Sequence, residues 1–278
     1  MLNFSSRRFV WACILTALPG SIYAVDGVAL IDQDRAVAGD ITKGDAPGFP
    51  VTISQPGSYR LTGNLTVPDV NVTAIQITAD AVTLDLNGFG IIGPSLCSGP
   101  ATTCPAAGRG VGIQATGDQA GGPRDVRVRN GSVRGMGMGV WLTGEGSAVE
   151  KVTADSNAGG GFNVAGTVSD SHALRNGGFG IVAFTVRDST ADQNLGDGIL
   201  LNGTGGVASG NTSSFNGGYG IGAPYSTVTR NTVIGNKSFG ISVFCPSAIV
   251  DNTIFSNESG SIDMSKTGCV QANNATRP

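Results

Sequence analysis

Residues 228–243 read Val-Thr-Arg-Asn-Thr-Val-Ile-Gly-Asn-Lys-Ser-Phe-Gly-Ile-Ser-Val. Val228, Val233, Ile241 and Val243 are the apolar markers, and Asn231 and Asn236 punctuate them. Gly and β-branched residues form helices poorly, whereas short apolar runs alternating with a period of two suit strands. The stretch therefore predicts three short strands with bends between them. The first ends at Asn231, the second covers 232–234, and the third begins at Gly240.

The same phrase recurs along the second half of the chain. Asn157, Asn176, Asn194, Asn216, Asn236 and Asn257 are separated by 19, 18, 22, 20 and 21 residues. Four residues beyond each stands Gly161, Gly180, Gly198, Gly220, Gly240 or Ser261, and one further on stands Phe162, Ile181, Ile199, Ile221, Ile241 or Ile262. A period near 20 residues marks a solenoid, in which each repeat buries its apolar face against its neighbours. Five residues before each marker lie Val152, Ser171, Ser189, Asn211, Asn231 and Asn252, read as the position where the chain turns sharply. Next comes a Thr-rich column that includes His172, expected outside, and then the small or apolar column Ala154, Ala173, Ala191, Ser213, Val233 and Ile254, expected inside. Stacked turns would set asparagine above asparagine in a hydrogen-bonded ladder.

Earlier turns are less regular: 59–67 with 75–77, then Val82, Leu84 and Leu86 before Asn87-Gly88, then Val126 and Val128 before Asn130-Gly131. Together they predict roughly nine turns, a rod on the order of 40 Å long at the spacing of paired strands. Residues 26–38 predict a short amphipathic capping helix, with Asp26 as N-cap and Gly39 as its stop.

With 44 glycines, 13% charged residues and a net charge of -3, the chain has neither the charge of a disordered segment nor a basic block for nucleic acid. Residues 1–24 read as a secretory signal peptide: Arg7 and Arg8, a short apolar run, Pro19-Gly20, and a small residue at Ala24. That run is too short to span a bilayer. The expectation is a periplasmic or secreted mature chain with no transmembrane segment. It divides into a signal peptide (1–24), an N-terminal cap segment (25–58), the coil (59–265) and a C-terminal tail (266–278). Loss of Cys13 with the signal leaves four cysteines for an oxidising compartment. Cys97 and Cys104 close a small Pro/Gly loop, and Cys245 and Cys269 lie about one repeat apart, so both pairs are expected as disulfides. The rival zinc reading is weak, because the sole histidine, His172, is out of phase with both pairs.

These residues resemble the right-handed parallel β-helix family, the pectin-lyase-like superfold. The Asn-x3-Gly-Ile repeats, the Asn/Ser turn column and Val82-Thr-Leu-Asp-Leu-Asn-Gly88 carry the resemblance over about residues 59–265. It implies an all-β, right-handed parallel β-helix solenoid. The family spans polysaccharide lyases, glycoside hydrolases, uronate epimerases, tailspikes and adhesins, so the fold does not choose an activity. The Asn-Thr-Asp, Asp-Asp and Gly-His-Gly signatures of its polygalacturonase-like members and the Asp-Pro-His motif of its epimerase-like members do not occur in this sequence. The sheet that carries lyase chemistry corresponds to the third strand of each repeat. Its outward positions here are Trp141, Asn163, Val182, Leu200, Gly222 and Ser242, nearly uncharged.

For chemistry, the cluster that stands out is Asp170, His172 and Asp188, a carboxylate pair in one column with a candidate base beside it. Asp155 and Asp192 share a second column; with Asp170 and Asp188 they form an oxygen-rich set of the kind that suits Ca2+, the one cofactor suggested. The bland alternative is that aspartates serve tight turns. Arg127 and Arg129 project outward as candidate ligand-binding forks, with stacked ion pairs to Asp85 and Glu150 as the alternative, and Arg187, near His172, is a further candidate ligand-binding residue. Trp141, ahead of Val182 and Leu200, is a candidate stacking surface for sugar rings. The expected partner is a polysaccharide or cell-surface glycan, bound and, if the protein is an enzyme, cleaved by lyase or hydrolase chemistry. The alternative is a non-catalytic structural or adhesin-like envelope protein.

Overall fold

A computed structural model describes residues 27–97, 103–105, 108–117, 121–265 and 267–277. The signal segment 1–24 and the proposed cap Asp26 lie outside the described residues. The chain winds into a parallel β-solenoid of about 10 turns. Each turn contributes to three parallel sheets. Sheet A contains Phe239–Val243, sheet B Thr227–Thr229 and sheet C Thr232–Ile234. Every strand pairs in register with its counterparts on the flanking turns, as Val182 with Asn163 below and Leu200 above. The three strands read from residues 228–243 are therefore the repeating unit.

The core is one aliphatic column along the axis. Ile75, Ile113, Val140, Phe162, Ile181, Ile199, Ile221 and Ile241 stack inward from sheet A, all fully buried. Ala154, Ala173, Ala191, Ser213, Val233 and Ile254 face them from sheet C. Burial of this apolar surface is the main driving force for stacking.

The marker asparagines stack as a buried ladder. Asn157, Asn176, Asn194, Asn216 and Asn236 each donate from Nδ2 to Oδ1 of the next marker at 2.9 Å. Asn194 shows why the residue must be asparagine. Its oxygen accepts from the Asn176 amide (2.9 Å) and backbone N–H (3.0 Å), and its Nδ2 donates to Asn216 Oδ1 (2.9 Å) and Ala173 O (3.0 Å). Two donors and two acceptor sites are all used. The linked glycine follows from the same geometry: a Cβ at Gly161 would lie 3.0 Å from Asn176 Nδ2 and 2.6 Å from Gly180 O. A second ladder runs Asn211, Asn231, Asn252, Asn274 at 3.0 Å per step.

The sharp bend, however, is not at the Asn/Ser column. It falls one residue earlier, at left-handed Asp170 (φ 49), Asp188 (φ 50), Arg230 (φ 55) and Asp251 (φ 58), with Gly210 (φ 70) in the same column. The Asn or Ser that follows turns inward and satisfies the backbone freed by the bend.

Three expectations at the ends change. Residues 26–38 do not form one helix. Ala29–Ile31 is a strand paired with residues 59–61, and only Gln33–Ala38 is helical. The N-cap is Asp32, which accepts from Arg35 N at 2.9 Å, while Gly39 (φ 81) ends the helix as expected. Pairing with an open sheet edge outweighs amphipathic helix formation there, because the edge backbone needs partners. Gln33 completes the cover: its side chain accepts from Thr66 N (2.8 Å) and donates to Thr66 O (3.3 Å), imitating a strand. At the other end, residues 270–272 and 275–277 pair in register with 248–250 and 253–255, so winding continues through the segment set apart as a tail. These added strands account for the turn beyond the nine counted in the sequence. Both disulfides, Cys97–Cys104 and Cys245–Cys269, are formed. The second ties the last turn to its neighbour.

Candidate functional site: a groove on the outer face of sheet A

The outward column of sheet A is continuous: Gln114, Trp141, Asn163, Val182, Leu200, Gly222, Ser242 and Asp263 occupy successive rungs. From Val182 to Asp263 it forms the floor of a groove of about 480 Å³. One lip consists of Asp197 and Tyr219, and the other of Asn202, Pro224 and Phe244. The lining is drawn from five successive turns, about 20 Å of the rod from end to end. Gly222 carries no side chain, so Leu200 leans across the floor: a Cβ at Gly222 would lie 2.5 Å from Leu200 Cδ2. Phe244 packs against Tyr225, with ring centroids 6.1 Å apart and planes tilted by 44°.

The groove is mostly apolar with carboxylates at its margins. Asp197 Oδ1 accepts from Tyr219 N at 2.6 Å, which ties one turn of the lip to the next. Asp263 Oδ2 accepts from Ser242 Oγ at 3.1 Å on the floor. Among the described residues, the other oxygen of each carboxylate has no hydrogen-bond partner. Among the described residues, no Lys, Arg or His lines this groove.

Trp141 belongs to this face, two rungs below Val182 and part-exposed, as its phase predicted. The other candidates lie elsewhere. Arg127, Arg129 and Arg187 stand on sheet B, away from Trp141. Arg129 is paired with Asp85 at 3.4 Å, as is Arg60 from the turn below. Asp85 is buried, which by itself would raise its pKa. Hydrogen bonds from Asn87 N and the Asn130 amide, with the Arg129 and Arg60 charges, outweigh burial and leave it below 3.8. The stacked ion pair is thus realised at Asp85. Glu150 pairs instead with Lys151, at 3.4 Å.

Asp170 and Asp188 stack on adjacent turns at the corner between sheets B and C, and His172 lies between Thr153 and Thr190 on sheet C. All three are exposed, and no hydrogen bond or ion pair joins them among the described residues. Their left-handed backbone gives both aspartates a role in the bend itself. The proposed calcium set does not assemble. Leu174 separates Asp155 from Asp192 in their column, Asp155 is held by Arg175 at 2.7 Å, and Asp192 accepts from Ser214 at 2.7 Å. Among the described residues no three His, Cys, Asp or Glu side chains gather as metal ligands.

Sequence reasoning missed Asp197, Tyr219, Phe244 and Asp263. The signal for the lip was present: three residues past the markers stand Gly160, Phe179, Asp197, Tyr219, Phe239 and Gly260. Asp197 stands between Gly196 and Gly198, and Gly-Asp-Gly is an ordinary turn signal that hides a lip residue. Asp263 is the next member, 21 residues on, of a column followed only as far as Ser242.

The family described as right-handed beta helix region matches residues 109–276, more than half of the sequence, and the chain belongs to that family. Among solved structures it is similar to the A-module of mannuronan C-5 epimerase AlgE4 from Azotobacter vinelandii, at TM-score 0.50 and 16% identity over 86% of this chain and 71% of that one. The periplasmic alginate epimerase AlgG gives 0.43 at 13% identity over 82% and 77%. The Dettilon tailspike protein gives 0.48 at 13% identity over 80% and 54%. At these identities the likeness speaks for the fold alone. No curated protein matches the chain. Among the described residues no helix is long and apolar enough to cross a membrane.

Proposed function

We propose that this is an exported glycan-binding β-helix protein that holds a polysaccharide lengthwise in the sheet A groove. The observation that carries the reading is the shape and chemistry of that groove. It is long and shallow, with an apolar floor at Val182 and Leu200, aromatic lips at Tyr219 and Phe244, and polar groups at Asn202, Ser242, Asp197 and Asp263. Sugars present C–H faces that pack on apolar and aromatic surface and hydroxyls that donate to carboxylates. Trp141 extends the platform along the same column. The two disulfides favour an oxidising compartment, periplasmic or extracellular.

Binding is favoured over hydrolysis by this site. Asp197 and Asp263 stand three turns apart, about 14 Å along the axis alone, beyond the ~6.5–9.5 Å that an inverting carboxylate pair requires. A stiff structural rod is the second reading, favoured by the two buried amide ladders, and it needs no groove. Affinity electrophoresis against neutral and acidic polysaccharides separates the two. The expected outcome is retardation by at least one polymer, weakened about tenfold or more in Leu200→Arg and severalfold in Trp141→Ala, with Asp188→Ala unchanged. Retardation insensitive to Leu200→Arg would place the ligand elsewhere, and no retardation by any polymer would leave the rod.

A further inference from the structure

The groove's charge is one-sided. Its two charged lining groups are both carboxylates, one on the lip and one on the floor. The nearest basic position on that lip, Lys237, precedes Phe239 by two residues, and Glu258 occupies the same phase of the next turn. A glycan bearing a carboxylate on every sugar would bring several negative charges past Asp197 and Asp263, with no cation among the described lining residues to receive them. At about 6 Å each such encounter weakens binding about threefold in a water-like dielectric, and more where the apolar floor displaces water. A glycan bearing only hydroxyls meets the opposite situation. Asp197 Oδ2 and Asp263 Oδ1 are acceptors without a partner among the described residues, while the second oxygen of each carboxylate is held by Tyr219 N and Ser242 Oγ. The groups that repel a uronate thus serve as fixed acceptors for a neutral sugar.

We propose that the sheet A groove selects glycan segments that carry hydroxyls but no carboxylates, with Asp197 and Asp263 as the residues that exclude uronic acids. This rests on the glycan reading of the groove and adds the ligand class to it. The neighbouring turns supply the specificity: Asp197 is fixed by the lip, Asp263 by the floor, and neither moves away when a charged ligand approaches.

Isosteric oligosaccharide pairs test this directly. The full chain is titrated calorimetrically, at low ionic strength with EDTA present, against β-1,4-mannohexaose and the corresponding hexamannuronate, and against cellohexaose and its C6-oxidised form. Within whichever pair binds, the neutral member is expected to bind about tenfold or more tightly. In the Asp197→Asn/Asp263→Asn double variant the ratio falls to within about threefold. Asparagine retains an oxygen for Tyr219 N, and an unchanged melting temperature confirms the fold of the variant. Equal or tighter binding of the uronate by the unaltered chain overturns the selection while leaving the glycan reading intact. An unchanged ratio in the double variant removes Asp197 and Asp263 as its cause. Failure of all four oligosaccharides to bind overturns the glycan reading itself.

Discussion

Asparagine at 194 is worth more than its hydrogen-bond count suggests, because its partners are buried and have no alternative. Replacement by alanine strands the Asn176 amide and backbone N–H, the Ala173 carbonyl and one acceptor site on Asn216. An unsatisfied buried polar group costs about 1–3 kcal/mol, so Asn194→Ala is expected to destabilise the protein by about 3 kcal/mol or more. Asn257 ends the ladder in a less buried setting: its Nδ2 donates to Val233 O and to the half-buried Phe255 O, and its oxygen accepts from the Asn236 amide and backbone N–H, so water can reach part of what its loss would leave unpaired. Asn257→Ala should cost distinctly less. Urea denaturation of the two variants checks the order, and equal losses would show that the ladder does not act as a stack. The glycine that accompanies each marker belongs to the same account. It is replaced, by Ser261, only on the turn beyond Asn257, where no further marker amide stacks above it.

Within a sheet, the strength of each ion pair depends on what the neighbouring rung places above and below. Asp85 has an arginine on each side and two amide donors, and its depressed pKa is a statement about stability. A carboxylate with a folded pKa below its unfolded value stabilises the fold above the unfolded pKa, and that contribution is lost as pH falls through the folded one. Asp85→Asn is therefore expected to lower stability by about 1 kcal/mol at pH 7, with the difference from the unaltered chain closing as pH falls below the ordinary carboxylate range. Thermal melts across that range check it; a difference that persists in acid would mean packing, not charge, is responsible. The same scale explains what the sequence made legible. Inward Ile, Ala and Asn recur because each contacts its own copy one turn away, so stacking enforces their identity and the period shows. The lip residues Phe179, Asp197, Tyr219 and Phe239 face solvent, carry no such constraint and differ from turn to turn, so the groove left no repeated letter to follow. The first strand was misread because Ala29–Ile31 takes its conformation from residues 59–61, far along the chain, whereas amphipathic spacing reports only local neighbours.

At the scale of the whole molecule, a coil whose turns contact only adjacent turns is a rigid, nearly one-dimensional body. The groove inherits that rigidity. Its floor and lips are set by strand register, so little ordering is required when a ligand arrives, and a modest contact area is enough for useful affinity. Cys97, bonded to Cys104, lies on a different side, where its N–H donates to Ser156 O at 3.2 Å. Three faces of the rod thus carry distinct chemistry: the sheet A groove, the arginine-bearing surface of sheet B, and the exposed Asp170–His172–Asp188 corner. The measurement that separates them is a crystal structure of the chain soaked with the tightest-binding oligosaccharide. The sugar rings are expected over Leu200 and Gly222, between Tyr219 and Phe244 and running along the axis, with hydroxyls on Asp197 and Asp263. Density for the ligand on Arg127 and Arg187, or at His172, with the groove empty, would contradict the account.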